Sequence, residues 1–523
     1  MNTLDWSIII VYLMGMIGLS VFLGRRQSNQ EDYYVGGRKL PWWAVGISTM
    51  ATQTSAISFI SVPAFVALAP LGGLTILQYE MSVPLAMIVV MAFLLPFFRK
   101  LELVSVYEYL EMRFGPSVRY LVSTVFLISR ALATGVGVYA IAIVLSVCLG
   151  TPLWLNILII GIVTIIYDTI GGMAAVVYSD VIQMVILLNG VVLCIIYAAN
   201  SVGGFEVIVT SFPAERCKTI DLSTFWGFLV GGFFLYISYY GTDQSQVQRE
   251  LSAPSMDDTR RSLLFNGFAR FPLTICYIIM GVAVGAVFVH FPDLRESVPA
   301  DHLDYLVPLF ILQHIPTGVR ALLFAAILAA AMSSLDSAIN SLSASTMRDF
   351  VERGRNLSER RILLLSRLTT VLWGLAITGF AFLVGNISST VLEGINKIGS
   401  AFYGPILASF LIGVLSKRAN ATGIFVGVIT GVGFNLFLWL NIKELFWMWW
   451  NLLGLLISVV TTIIISWITA PPGQEQISKY TLKGSGMLKQ DRRWIKSYVL
   501  LGIYFIFIIS FMILVQKKGF FIH

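Results

Sequence analysis

Residues 329–346 read AAAMSSLDSAINSLSAST: one acid, one amide and seven hydroxyls inside a stretch that is otherwise apolar enough to cross a membrane. If 320–347 is one helix, Ala330, Ser333, Ser334, Ser337, Asn340 and Ser341 share one face, with Asp336 at its edge. A carboxylate at the centre of a bilayer costs about 2.5–3.5 kcal/mol on insertion scales, so a chain keeps one there only where it meets a partner. The stripe is expected to face an ion or a solute, not lipid.

The rest of the chain places that stripe in a membrane protein. Of 523 residues, 57% are hydrophobic and only 12% charged, and apolar runs of spanning length recur from end to end, which excludes a soluble protein. Fourteen spans are predicted near 5–24, 41–68, 74–98, 120–149, 154–170, 176–199, 224–241, 262–291, 320–347, 366–387, 391–416, 421–441, 446–469 and 497–515. Lys and Arg beside spans are retained in the cytoplasm. With the N-terminus outside, the loops 25–40, 99–119, 243–261, 348–367, 417–420 and 470–496 face inward and hold 25 of the 35 basic residues. Arg130, Arg270 and Lys397 lie within spans. The net charge of +7 is therefore a topology signal and not a nucleic-acid footprint. The expected location is the cell membrane, with many passes. Met1–Asp5 carries no Lys or Arg, so the first segment reads as a true span and not a signal peptide. Cys148, Cys194, Cys217 and Cys276 have no metal-ligand spacing and read as small core residues.

No loop is long enough to bury a core of its own, so function is expected inside the bundle. Two spans look broken. The 41–68 segment carries Ser48, Thr49, Thr52, Gln53, Thr54, Ser55, Ser58 and Ser61 ahead of Pro63, and the 224–241 segment contains Gly231-Gly232 and ends in YYGTDQSQ. Unwound backbone at membrane depth is tolerated only where it lines a cavity, and interrupted spans at matching places in two halves mark transporter sites. Their separation by five spans fits a five-plus-five inverted repeat, with 41–199 and 224–416 as the halves. An extra N-terminal helix (5–24) and three peripheral C-terminal ones (421–515) complete an all-α bundle of about 14 helices. Sodium takes oxygen ligands, and neutral carbonyls and hydroxyls suit an ion that must leave on every cycle. Ala330, Ser333 and Ser334 follow the i, i+3, i+4 rule and can converge on one point. The same spacing also suits hydroxyls that bond their own helix or join helices together.

Several motifs in order carry a resemblance to a known family: DYYVGGRKLPWW (32–43), ATQTSAISF (51–59), VYEYLEMRF (106–114), GGMAAVVYSDVIQ (171–183), YYGTDQSQVQRELSA (239–253), AAAMSSLDSAINS (329–341) and GPILASFLIGVLSKRAN (404–420). Over nearly its full length the chain resembles the sodium:solute symporters, which have the leucine-transporter fold. The resemblance implies a sodium site formed by Ala51 and Thr54 on the first core helix and Ala330, Ser333 and Ser334 on the eighth. For a second sodium site, found in some relatives including sialic acid transporters, it implies Asp180, Ser333, Asp336 and Ser337. Asp336 departs from the sialate pattern, which has Ser there. The added carboxylate can strengthen that site, bind a proton or pair with a cation such as Lys397. A structural cap near the start of its span is the plainer reading of Asp180.

In the resembled fold the substrate lies at the midplane, which points to Gln53, Ser55, Ser58, Gln78 and Tyr236, with Tyr239 as a closing aromatic; for the tyrosines, core packing is nearly as good a reading. Arg130 is the costliest of the candidates. A guanidinium inside a span needs a carboxylate or carbonyls, and a substrate carboxylate serves as well as a structural acid. Aligned on Val138-Tyr139, Arg130 falls about one turn from the sialate-binding arginine of relatives. The expected function is sodium-coupled uptake of a small organic anion such as sialic acid or a monocarboxylate, with a sugar or polyol second. A membrane enzyme is the first rival. It fits poorly, because His290, His302, His314 and His523 form no HExxH and no cluster with cysteine. A channel or a transporter-derived sensor is the second, separated by whether uptake saturates and needs a sodium gradient.

Overall fold

The computed structural model describes the chain apart from Met1, Arg26, Ser55, Leu71, Asp301, 384–390, 483–491 and 519–523. Among the described residues the regular structure is entirely helical. Twelve helices are long and apolar enough to cross a membrane. A bent pair, α2 (Trp42–Gln53) and α3 (Ala56–Ala67), makes a thirteenth span with a 52° bend. The crossings before it and next after it are α1 (Thr3–Gly24) and α4 (Leu74–Lys100), followed by α5 (Pro116–Leu149).

The segment α6 (Leu153–Val202) has 50 residues, enough for about 75 Å of straight helix, more than twice the ~30 Å hydrocarbon core. It breaks at Gly172, where φ is 53° and ψ −156°; counting its two arms separately and the bent pair as one span gives about fourteen crossings among the described residues. The sequence reading ended one span at 170 and began the next at 176; instead the chain turns at this single glycine. A Cβ there would lie 2.6 Å from the Tyr33 carbonyl oxygen, and a positive φ strains any other residue.

The second broken span is also real, but its irregularity sits elsewhere. Gly227–Gly231 forms one wide π-turn ahead of α7 (Gly232–Thr242), and the sharper break comes at Asp243, where the chain leaves α7 and enters α8 (Gln244–Leu251). The Asp243 carboxylate caps α8 by accepting from the Ser245 backbone N–H at 2.9 Å. The next long helices are α9 (Met256–His290), α10 (Val319–Thr346), α11 (Glu359–Leu383) and α12 (Val391–Leu415). The C-terminal set is α13 (Ala421–Asn441), α14 (Trp449–Ile468) and α15 (Ile495–Lys518).

Burial sorts these helices. Almost every residue of α10 from Ala321 to Ser345 is buried, so it forms the axis of the bundle, packed on α5, α6 and α11. At the rim, Leu440, Trp467, Ile468 and Ile506 are exposed, as expected of side chains that meet lipid. At the end carrying the basic loops, charged groups close the bundle. Arg119 pairs with Asp349 at 2.7 Å and Glu111 at 2.6 Å, Arg348 with Glu108 at 3.1 Å, and Arg353 with Glu111 at 2.8 Å. Desolvation pushes the Glu111 carboxyl up, but hydrogen bonds from Arg119 and Arg353 outweigh it and hold the group below its ordinary value. Its share of stability is therefore present above the unfolded carboxylate pKa and is lost as pH falls through the lower folded one.

Asp349 is fully buried and also accepts from Ser105 at 2.9 Å and Ser123 at 2.6 Å. Removing it strips a buried guanidinium of one partner. Asp349→Ala is predicted to cost on the order of 3 kcal/mol, read as a lowered thermal midpoint in detergent with the sodium response of the folded fraction unchanged.

Candidate sodium and substrate site

The polar stripe of α10 is almost wholly buried, and several of its side chains meet partners on other helices. Ser333 donates to Asp180 of α6. Ser337 donates to the Ser333 carbonyl at 2.5 Å and to Asp336 at 3.1 Å. Tyr167 of α6 donates to Asp336, and Asn340 donates to Asp168 at 3.2 Å. Ser341 bonds back to its own helix at 2.9 Å and takes no part in the site. Asp180 lies within the second half of α6, not at a helix start, so it does not act as a cap.

One cation is built into this cluster. Arg249, fully buried on α8, donates to Ser48 at 2.8 Å and to Ser337, and lies 3.5 Å from Asp180. Ser48 in turn donates to Asp180. Three buried carboxylates, Asp168, Asp180 and Asp336, lie along this stripe; Asp180 is within ion-pair distance of Arg249, and one oxygen of Asp168 is without a hydrogen-bond partner among the described residues. The sequence reading brought Asp180, Ser333, Asp336 and Ser337 together but not Arg249, whose relation to them exists only in three dimensions.

The other side of the stripe faces the broken helix. α2 ends at Gln53: the Thr54 N–H still donates to the Met50 carbonyl at 2.9 Å, but Thr54 itself has left the helical region (φ −90°, ψ 72°), so the regular ladder stops here, and the carbonyls at such an end are the ones a ligand can use. Ala51, Thr54, Ala330 and Ser333 are buried. The Ser334 hydroxyl is buried with no hydrogen-bond partner among the described residues, and Thr54 and Ser334 line one cavity. An orphaned hydroxyl beside the end of a broken helix fits a hard monovalent cation, since leaving such a group dry costs about 1–3 kcal/mol.

That cavity is about 150 Å³ in volume. Of the expected substrate contacts, Gln53, Ser58, Arg130 and Tyr239 line it. Gln78 and Tyr236 do not: Gln78 donates to the Thr75 carbonyl at 3.3 Å, and Tyr236 to the Tyr79 carbonyl at 3.1 Å. Ser55 lies outside the described residues. Arg130 is held loosely, 3.5 Å from Asp243 and 6.0 Å from the Tyr239 ring centre, and its Nε is buried without a partner among the described residues. The sequence reading missed a second pair in the same wall, Glu80 of α4 and Arg270 of α9. Arg270 also donates to the Thr54 hydroxyl. Two opposite charges in separate spans were the available signal. Asn396 of α12 lines the cavity as well and accepts from Tyr79 at 2.8 Å.

A fourteen-crossing helical bundle with a broken helix, a buried polar stripe and a small charged cavity between them defines a multi-pass secondary transporter of the leucine-transporter type. The model of the sodium:solute symporter family matches residues 33–431, and the chain belongs to that family. It is 30% identical over 505 residues to the sodium/sialic acid symporter NanT of Aliivibrio fischeri, covering 94% of this chain and 97% of that one. It is also 30% identical to the human sodium-coupled monocarboxylate transporter 1, over 84% of this chain and 73% of the other. Among solved structures, a Na+-coupled sialic acid symporter in a substrate-bound outward-open state matches with a TM-score of 0.81 at 28% identity, covering 90% of this chain and 99% of that one.

Ser334→Ala is predicted to raise the sodium concentration for half-maximal thermal stabilisation about tenfold, since it removes a hydroxyl that has no hydrogen-bond partner among the described residues. An unchanged sodium titration would remove Ser334 from the ion's ligands.

Proposed function

We propose that the chain is a sodium-coupled symporter that imports a small organic anion by alternating access. Sodium is held by the carbonyls of Ala51, Thr54 and Ala330 and the hydroxyls of Ser333 and Ser334, and substrate occupies the adjacent cavity with its carboxylate on Arg130. The observation that carries this reading is the shared wall: the orphaned Ser334 hydroxyl, Thr54 at the helix break and the under-bonded Arg130 all border one cavity. We further propose the cell membrane as its location, with the N-terminus outside, and repeat halves at 41–199 and 224–416.

Charge bookkeeping favours a monoanion. Arg130 with Asp243 and Arg270 with Glu80 are each neutral as pairs. A sodium ion then adds one positive charge in a poorly screened site, and one carboxylate balances it. A cavity of about 150 Å³ is also small beside the roughly 300–1,000 Å³ of drug-sized ligand sites, which favours a monocarboxylate over a nine-carbon sialic acid. A sugar or polyol would leave the sodium charge unbalanced.

A second sodium at Asp180, Ser333, Asp336 and Ser337 is supported by the way these side-chain oxygens meet in one buried cluster, Ser333 bonded to Asp180 and Ser337 to Asp336. Flux stoichiometry, from reversal potentials in proteoliposomes, is predicted to give two sodium ions per substrate and one in Asp180→Asn. One in both would assign Asp180 to holding Arg249 alone.

The substrate is tested by thermal shift of the purified protein against monocarboxylates, sialic acids, vitamins and sugars, each with sodium or choline chloride. Stabilisation is expected from monocarboxylates and only with sodium. Arg130→Gln should weaken that binding about 10–100-fold, the worth of a charged hydrogen bond of roughly 1.5–3 kcal/mol, while leaving the response to sodium alone. Wild-type binding by this variant would make Arg130 a structural partner of Asp243.

A further inference from the structure

Arg270 is bonded to both halves of the site. It reaches Glu80 through two of its nitrogens, and its remaining terminal nitrogen donates to the Thr54 hydroxyl. Arg270 and Glu80 are each at least 96% buried, Thr54 is 98% buried, and all three border the cavity. Thr54 is also the residue at which the backbone leaves α2. One guanidinium therefore grips the side chain of the residue whose carbonyl is proposed above as an ion ligand, while itself bordering the cavity.

We propose that the Glu80–Arg270–Thr54 chain is the coupling relay between the substrate cavity and the sodium site. The inference rests on the sodium site proposed above. Two effects operate. The hydrogen bond from Arg270 fixes the Thr54 side chain, and with it the peptide plane that aims the Thr54 carbonyl at the ion. The guanidinium also repels a cation a short distance away, and Glu80 cancels that repulsion. An anion arriving in the cavity shares this neutralising task with Glu80, so sodium binds more tightly when substrate is present, and by linkage substrate binds more tightly when sodium is present. Arg270 acts here as a positioning residue, through Thr54.

The relay makes signed predictions that a merely structural pair would not. Glu80→Gln leaves Arg270 charged and uncompensated, so sodium affinity should fall on the order of tenfold, while anion affinity measured in choline should rise by a similar factor. The double variant Glu80→Gln with Arg270→Gln removes both charges but also the donor to Thr54, so its sodium affinity should recover above that of Glu80→Gln while staying below wild type. Thr54→Val keeps the carbonyl but loses the hydroxyl that accepts from Arg270, whereas Thr54→Ser keeps both. Valine should reduce the mutual tightening from the roughly 5–150-fold of typical coupled sites towards onefold, and serine should retain it.

All affinities are read by thermal-shift titration of the full chain with sodium chloride against choline chloride, with and without the anion that stabilises wild type most. A double variant that binds sodium no better than Glu80→Gln overturns the relay, as does Thr54→Val with wild-type coupling. The sodium-only arm decides this inference even if no anion of the panel binds. A wild type with no sodium response fails the underlying site instead, and takes the relay with it. If Glu80→Gln does not fold, the valine and serine pair still decides.

Discussion

Everything in this bundle depends on one constraint: a hydroxyl-rich helix runs through the centre of a low-dielectric bundle, and each of its polar groups has to be met from another helix or by cargo. Unpaired polar groups cost several kcal/mol at membrane depth, so the partners of α10 are not free to vary. Tyr167 and Asp180 of α6 answer one end of the stripe, and Asn340 finds Asp168 and Gln248 at the other. Ser334 is the conspicuous remainder. Ser345, near the end of α10, is also without a partner among the described residues, but Ser334 is the one that borders the cavity at the end of α2, and there it leaves room for an ion.

The buried charges follow the same constraint at higher stakes. Arg249, Arg270 and Arg130 each lie beside a carboxylate on a different helix or at a helix break, and each pair ties together elements that would have to move in alternating access. The three differ in how fully they are bonded. Arg249 spends its donors on Ser48, Ser245, Ser337 and Asp180, whereas Arg130 keeps a long contact and an unpartnered nitrogen. That difference in saturation separates a structural guanidinium from one available to a substrate. The belt formed by Arg119, Asp349, Glu108 and Arg348 at the basic end closes the bundle below both.

Span number, the broken helix and the α10 stripe were legible in the sequence because each is an anomaly against a local background: polar residues in an apolar run, or hydroxyls ahead of Pro63. The turn at Gly172 was not, since two glycines between apolar runs read as a connection as readily as a break inside one helix. Glu80 and Arg270 stand 190 residues apart and nothing local joins them. For the same reason Gln78 and Tyr236 were expected in the cavity but face their own neighbours: periodicity says which residues share a face, not which element that face meets. Arg249 escaped because the QSQVQR motif reads as a loop rather than as a buried cap on the carboxylate cluster.

The central claim is that a sodium gradient acting through the junction of α2 and α10 drives solute accumulation. Its most direct test is uptake of a radiolabelled monocarboxylate into proteoliposomes with an inward sodium gradient, compared with equal sodium on both sides. The account predicts saturable accumulation above the equilibrium level that collapses when the gradient is removed and that Ser333→Ala displaces to higher sodium concentrations. Equal uptake with and without the gradient, or uptake linear in substrate concentration, would contradict it.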